Sequence, residues 1–158
     1  MPLSDVSIQA IRDARALMPI PRTALLFGLR TVQRECGQVG SEEVEVLAEL
    51  FELPPAQVEG VARFYDLITR EPTAPHRFRL CEGVVCAVRG MEAVWDVIRD
   101  PAGSPVVNEA IITIERGACL GHCDHAPAGL FDGVLVGPLD PPDALRLLTA
   151  ATAGGISP

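Results

Sequence analysis

The sequence predicts an α+β chain, with a helical bundle first and a small sheet-containing domain after it. Three observations carry this. Apolar residues keep a helical period from the N-terminus to about residue 70. A stretch with two prolines, Glu71 to His76, then breaks the pattern. Beyond it the apolar runs are short, and Asp132-Gly133 stands between two of them as a type I′ hairpin turn. The boundaries that follow are a helical bundle over 1–72, a second domain over 73–150 and a disordered tail over 151–158.

A first helix runs around Val6 to Met18 and is ended by Pro19. Leu25, Leu29, Val32 and Cys36 fall at i, i+4, i+7 and i+11, one stripe of a second helix that Pro21 precedes and Gly37 closes. Ser41 is placed to cap a third helix with Val44, Leu47 and Phe51 inward. Pro54 and Pro55 open a fourth, with Val58, Val61, Tyr65 and Ile68 on one face. Leu25, Phe27 and Phe64 are apolar positions that a thin bundle hardly covers.

After the break, Arg77-Phe78-Arg79-Leu80 alternates like a half-buried strand. Met91, Val94, Trp95 and Ile98 have helical spacing within Gly90 to Asp100, and Gly103 to Pro105 reads as a turn. Ile111 to Glu115 is β-branched and reads as a strand. Gly129-Leu130-Phe131 and Val134-Leu135-Val136 form the hairpin, and Asp140 caps a last helix carrying Leu145 and Leu148. The order is β-α-β-β-β-α, with helices able to cover one sheet.

Composition excludes several functions. The chain has 158 residues and a formal net charge of −8, and all 13 of its basic residues are Arg. Phosphate contacts need a basic face, so nucleic acid is not an expected partner. No stretch approaches the ~20 apolar residues of a membrane span. The first ten residues lack the basic and apolar regions of a signal peptide. The expected location is therefore the cytoplasm, with no direct membrane insertion. In that reducing compartment the five cysteines read as a metal site rather than a disulfide framework. No G-x-G-x-x-G, no phosphate-binding loop and no nucleophile with a base is present, so neither nucleotide nor flavin has a place here.

Four cysteines form two tight pairs. Cys81 and Cys86 are spaced C-x4-C, and Cys119 and Cys123 are spaced C-x3-C. Each pair begins where a predicted strand ends, which puts both on loops at the rim of the sheet. A [2Fe–2S] cluster takes four thiolates, two on each iron, and each short-range pair can chelate one iron. The anionic cluster favours backbone N–H groups aimed at sulfur and loops free to wrap it, a freedom assigned to Gly83 and Gly121. A four-cysteine zinc site uses the same donors but more often C-x2-C knuckles, so spacing favours iron and leaves zinc open. A thioredoxin dithiol needs C-x-x-C, which is absent. A Rieske centre needs one His beside each pair, whereas His122 and His125 both lie beside the second and only His76 is near the first. Cys36, on the helical stripe, reads as a small buried hydrophobe. Trp95 reads as core, and Arg89 as a surface group, a counter-charge to the cluster or a contact to a partner subunit.

The run Arg79-Leu80-Cys81-Glu82-Gly83-Val84-Val85-Cys86-Ala87-Val88-Arg89-Gly90 resembles the first cluster loop of the NuoE-like family, the small [2Fe–2S] subunit of NADH dehydrogenase (complex I). Cys119-Leu120-Gly121-His122-Cys123-Asp124-His125-Ala126-Pro127 is similar to its second loop, and Leu53 to Tyr65 looks like the segment that ends in the family's Phe-Tyr. The resemblance spans roughly residues 10 to 150. It implies a thioredoxin-like [2Fe–2S] ferredoxin domain after the helical bundle, with Cys81, Cys86, Cys119 and Cys123 as the cofactor-binding and metal ligands. It implies partners too: a NuoF-like flavoprotein subunit that carries FMN and binds NADH, and further iron–sulfur subunits. Related small subunits serve NAD-linked hydrogenases and formate dehydrogenases. The chain is then an electron-transfer subunit of an oxidoreductase complex, with no turnover of its own and no catalytic residue. Two other classes stay in view: an adaptor held by zinc, and a free-standing ferredoxin. The sequence departs from the family at Glu82, which adds negative charge beside the cluster, and at His122 and Asp124-His125, where many members have smaller or apolar residues.

Overall fold

The computed structural model describes residues 3–99 and 110–152. The chain divides into two compact units, Met1–Pro72 and Thr73–Pro158. Each has its own apolar core. The Gly103 to Pro105 turn lies outside the described residues.

The first unit holds four α-helices: α1 (Asp5–Leu17), α2 (Leu25–Cys36), α3 (Ser41–Phe51) and α4 (Pro55–Phe64), with a short 3₁₀ turn, Pro21–Ala24, leading into α2. The Ser4 side chain caps α1 by accepting from the Ser7 N–H. Gly37, at φ 78°, ends α2. The α2 stripe is buried at Leu25, Leu29 and Val32, against Leu47 and Phe51 of α3 and Val58 of α4. Three expectations need correction. Gly40, not Ser41, caps α3, and its N–H donates to the Glu43 carboxylate at 2.9 Å. Helix α4 stops at Phe64, so Tyr65 lies outside it and is exposed, and Ala62 takes the buried place. Leu25 is buried to 4% exposure, whereas Phe27 and Phe64 do stand out, Phe64 with 80% of its surface exposed.

The second unit is built on a four-stranded sheet. Its strands are β1 (His76–Cys81), β2 (Ile112–Gly117), β3 (Gly129–Phe131) and β4 (Val134–Val136), in the order β2-β1-β3-β4. β1 is parallel to β2 and antiparallel to β3, and β3 is antiparallel to β4. A parallel neighbour needs a crossover, and α5 (Val84–Val88) and α6 (Met91–Arg99) lie between β1 and β2. The hairpin is the predicted type I′ turn, with positive φ at Asp132 and Gly133. The Asp132 carboxylate also ties the start of β1, accepting from the Arg77 N–H at 2.8 Å and pairing with His76 Nδ1 at 2.7 Å.

Helix α7 (Pro141–Thr152) closes the unit, opened by Asp140, whose Oδ1 accepts from the Asp143 N–H at 2.7 Å. Ala151, expected in the tail, is a buried core residue of α7, and residues 153–158 lie outside the described residues. Phe78 and Leu80 alternate onto the face packed with Met91, Val94, Ile98 and Leu148. Trp95 is half-buried against this core, and Arg116 at 4.4 Å and Arg99 at 5.3 Å lie over its ring. Among the described residues no helix is long and apolar enough to cross a membrane.

Candidate metal centre

Cys81 is the last residue of β1, the central strand. Its register partner on β2 is Gly117, so the parallel pairing delivers Cys119, two residues on, beside Cys81. The Glu82 N–H donates to the Gly117 carbonyl at 2.9 Å and locks the two loop entries together. The chain then turns at Gly83 into α5, where Cys86 points inward while Val84 and Val88 stand more than four-fifths exposed. Cys86 is therefore on a helix rather than on a loop, and a one-turn helix is not readable from its five residues. The second pair spans a turn at Gly121 and a short 3₁₀ turn, Cys123–His125.

The four thiols converge from these elements. Cys119 and Cys123 have their sulfurs 3.8 Å apart. A methyl group placed on Gly83 would meet the Cys119 sulfur and the Cys81 sulfur, both at 3.3 Å. Gly83 is thus required for close approach and not for a left-handed backbone; its φ is −58°. Gly121, at φ 77°, is the one that needs glycine's conformational freedom. Cys81 and Cys86 are buried to 2% and 1% exposure, Cys123 is half buried and Cys119 is exposed. One side of the site is closed and the other is open.

Backbone donors aim at the buried sulfurs. The Gly83 N–H lies 3.4 Å from the Cys81 sulfur, and the Leu120 N–H donates to the same sulfur. The Ala128 N–H donates to Cys86. Sequence reasoning foresaw such donors but did not name Leu120 or Ala128. Their signal is the short spacing that returns the chain past each pair. Burial alone would raise the Cys81 thiol, but the Leu120 and Gly83 N–H groups and the Cys86 and Cys119 thiols outweigh it and hold its pKa below the ordinary value. Burial pushes Cys86 up, and the Cys119 sulfur pushes Cys123 up. Four sulfurs this close resist full ionisation without a cationic centre between them, and metal binding is coupled to such proton loss.

A second feature shares the Cys81 face of the sheet. Arg77, Arg79 and Cys81 alternate onto one side of β1. Glu115 Oε1 accepts from Arg79 Nε at 2.6 Å and from Arg77 Nε at 2.9 Å. Glu115 thus bridges the two guanidinium groups on this face. The sequence signal is the alternation Arg77-x-Arg79-x-Cys81, which by itself reads only as a strand pattern.

The remaining candidates fall elsewhere. Cys36 ends α2 in the helical unit, where burial raises its thiol pKa. His76 sits at the opposite end of β1 from Cys81 and stacks on Phe131, so it supplies no Rieske ligand. Glu82 and Arg89 are exposed. His122 and His125 stack on each other beside Cys123, with ring centroids 4.5 Å apart. The His125 hydrogen bond holds the Asp124 carboxyl below its ordinary pKa.

Four thiols in two short-range pairs, backbone donors on the buried sulfurs and a gap that only glycine leaves open fit a [2Fe–2S] cluster. Zinc would accept the same donors. Residues 11–152 match the family of thioredoxin-like [2Fe-2S] ferredoxins. The chain belongs to that family. The cofactor of this family is one [2Fe–2S] cluster, and the NuoE-like resemblance seen in the motifs is borne out. The chain is 34% identical to the E subunit of NADH-quinone oxidoreductase from Pseudomonas aeruginosa over 133 residues, covering 82% of this chain and 80% of that one. The counterpart of the same name from Escherichia coli is 30% identical over the same shares. NADH-quinone oxidoreductase subunit 2 of Thermus thermophilus is 32% identical over 67% of this chain and 60% of that one. Among solved structures, an NAD⁺-reducing [NiFe]-hydrogenase in its H₂-reduced state superposes with a TM-score of 0.63 at 23% identity, over 79% of this chain. The chain spans about a fifth (22%) of that hydrogenase chain, and the likeness is one of fold.

Proposed function

We propose that this chain is the [2Fe–2S] electron-carrying subunit of an NADH-oxidising or NAD-reducing complex, NADH:quinone oxidoreductase first, with Cys81, Cys86, Cys119 and Cys123 as the ligands. The observation that carries the assignment is the convergence of the two pairs around Gly83, with N–H groups directed at the buried sulfurs. When bound, the cluster takes up and releases one electron at a time. This chain's residues set the terms of that exchange. Cys81 and Cys86 hold the buried side, and burial there keeps water from the sulfurs. Cys119 and Cys123 hold the open side, where a partner's redox group can approach. The proposed electron donor and acceptor is FMN on a NuoF-like flavoprotein subunit that also binds NADH, and the helical unit is the proposed docking surface for it. The proposed place of work is the cytoplasm, at the cytoplasmic face of the inner membrane once assembled.

The same role in an NAD-linked hydrogenase or formate dehydrogenase is the second reading. The fold shared with the hydrogenase chains favours it. Chemical analysis tests the first claim: two irons and two acid-labile sulfides per chain, with visible absorption that bleaches on reduction as a spin-½ EPR signal appears. Replacing any one of the four ligands by Ser is expected to damage or remove that spectrum, since alkoxide is a harder ligand than thiolate. Cys36→Ser is expected to leave it intact. One zinc per chain without colour, or loss of the spectrum in the Cys36 variant alone, would overturn the reading.

A further inference from the structure

The cluster loop carries three side chains that the electron-transfer role does not use. His122, Asp124 and His125 each offer one ligand atom, and these atoms all lie within 4.8 Å of one another. The backbone arranges this. The His125 N–H donates to the His122 carbonyl at 3.2 Å across the 3₁₀ turn, and residues i and i+3 of such a turn eclipse. The two imidazoles therefore stack nearly parallel, 9° between planes, with Asp124 between them in the chain. His125 Nδ1 is 2.9 Å from one oxygen of Asp124, and His122 Nδ1 is 3.8 Å from the other.

We propose that His122, Asp124 and His125 form a second metal site on the lip of the cluster loop, for an imidazole-preferring divalent ion of the zinc and nickel class. Two nitrogens and one carboxylate oxygen suit these ions. Calcium and magnesium demand more oxygen ligands than the trio has. An exposed ion pair returns little of the entropy lost in holding three side chains together, whereas a ligated cation draws on all three at once. Coordination requires the two rings to turn out of their parallel stack so that one nitrogen of each faces the same point; His125 is exposed and His122 half-buried. Three protein ligands leave the remaining positions to water, so the ion is exchangeable rather than structural. His122 and Asp124 flank Cys123 in the chain, so a cation held here sits beside the cluster and favours its reduced, more negative state. This last clause rests on the four-cysteine assignment; the site itself does not.

The test uses the full chain with its iron content measured first. Titration with Zn²⁺ followed by calorimetry is expected to show one equivalent bound, with iron retained and no comparable response to Ca²⁺ or Mg²⁺. His122→Ala and His125→Ala are expected to weaken that binding by at least about tenfold while keeping the visible spectrum. A redox titration is expected to show the reduction potential rising with Zn²⁺ in the parent and not in the variants. Absence of Zn²⁺ binding, binding unchanged in both variants, or binding that releases iron from the cysteines overturns the proposal. Zn²⁺ bound through the histidines with an unmoved potential overturns the link to the cluster. A preparation without iron, whatever its zinc behaviour, counts against the electron-transfer reading and leaves the histidine dependence of Zn²⁺ binding to decide the site.

Discussion

Gly83 has room for a hydrogen and for little more. The nearest neighbours of an added methyl are the Cys119 Cβ at 3.1 Å and the two sulfurs at 3.3 Å. Contacts this short force the neighbours apart by a few tenths of an ångström, and sulfurs that must meet a rigid cluster cannot give way freely. Gly83→Ala is therefore expected to lower cluster occupancy several-fold while the far-ultraviolet circular dichroism keeps its native shape. The measurement is iron per chain after purification in parallel with the parent. Full occupancy with an unchanged spectrum would show that the loop relaxes and that the glycine serves the turn alone. Residue-level chemistry is partly legible in the sequence. The proposed ligands are, because two tight cysteine pairs at these spacings suit little other than a metal centre. Steric need at Gly83 is not, because it arises from Cys119, 36 positions away in the chain. Trp95 meets the expectation in part: it is half-buried and packs against the core, with Arg116 from β2 and Arg99 from its own helix over its ring.

Within the helical unit, α4 is tied to the segment that follows it. Glu59 pairs with Arg70, eleven residues on, and with Arg63 one turn away. Arg70 also reaches the Gly40 carbonyl ahead of α3. The hydrogen bond from Arg70, against a smaller cost of burial and with help from Arg63, holds the Glu59 carboxyl below its ordinary pKa of 4.5. A carboxylate whose folded pKa is depressed adds stability above its unfolded pKa, and that contribution is lost as pH falls through the folded value. Glu59→Gln is accordingly expected to destabilise the chain near neutrality and to match the parent at pH values below the folded pKa. Urea midpoints measured across the acid range check this; a gap that persists unchanged to the lowest pH would show that the glutamate acts by packing and not by charge.

Elements of this kind are the most legible part of the sequence. The α2 stripe and the Asp132-Gly133 hairpin follow from local periodicity and turn chemistry. Helix α5 and the end of α4 do not. A one-turn helix has no period to detect, and Tyr65 leaves the helix although its spacing from Val61 continues the pattern.

At the scale of the whole molecule, the four proposed ligands and the core beneath them belong to one unit. Cys81 and Cys86 pack with Phe78, Met91, Val94, Ile98 and Leu148, all beyond Thr73. The helical unit has a separate core that contains no proposed ligand. What it presents is apolar surface. Phe64 and Tyr65 pack edge to face at 5.3 Å and are exposed, and with Leu26, Leu53 and Val61 they line a cleft of about 760 Å³. Clustered exposed aromatics of this kind mark protein contact surfaces. A second apolar patch, Val84, Val85 and Val88, lies on the outer face of α5. The proposed function assigns affinity for a partner to the helices and electron exchange to the open side of the cluster unit, at Cys119 and Cys123. A chain shortened to begin at Thr73 is then expected to assemble its cluster, with iron content and EPR spectrum like those of the full chain. It is expected to lose most of its binding to the proposed flavoprotein partner in a pull-down. In the full-length chain, Phe64→Ser is expected to weaken the same capture without touching the spectrum. If the shortened chain binds its partner as tightly as the full one, the α5 patch carries the affinity and the helical unit has another role.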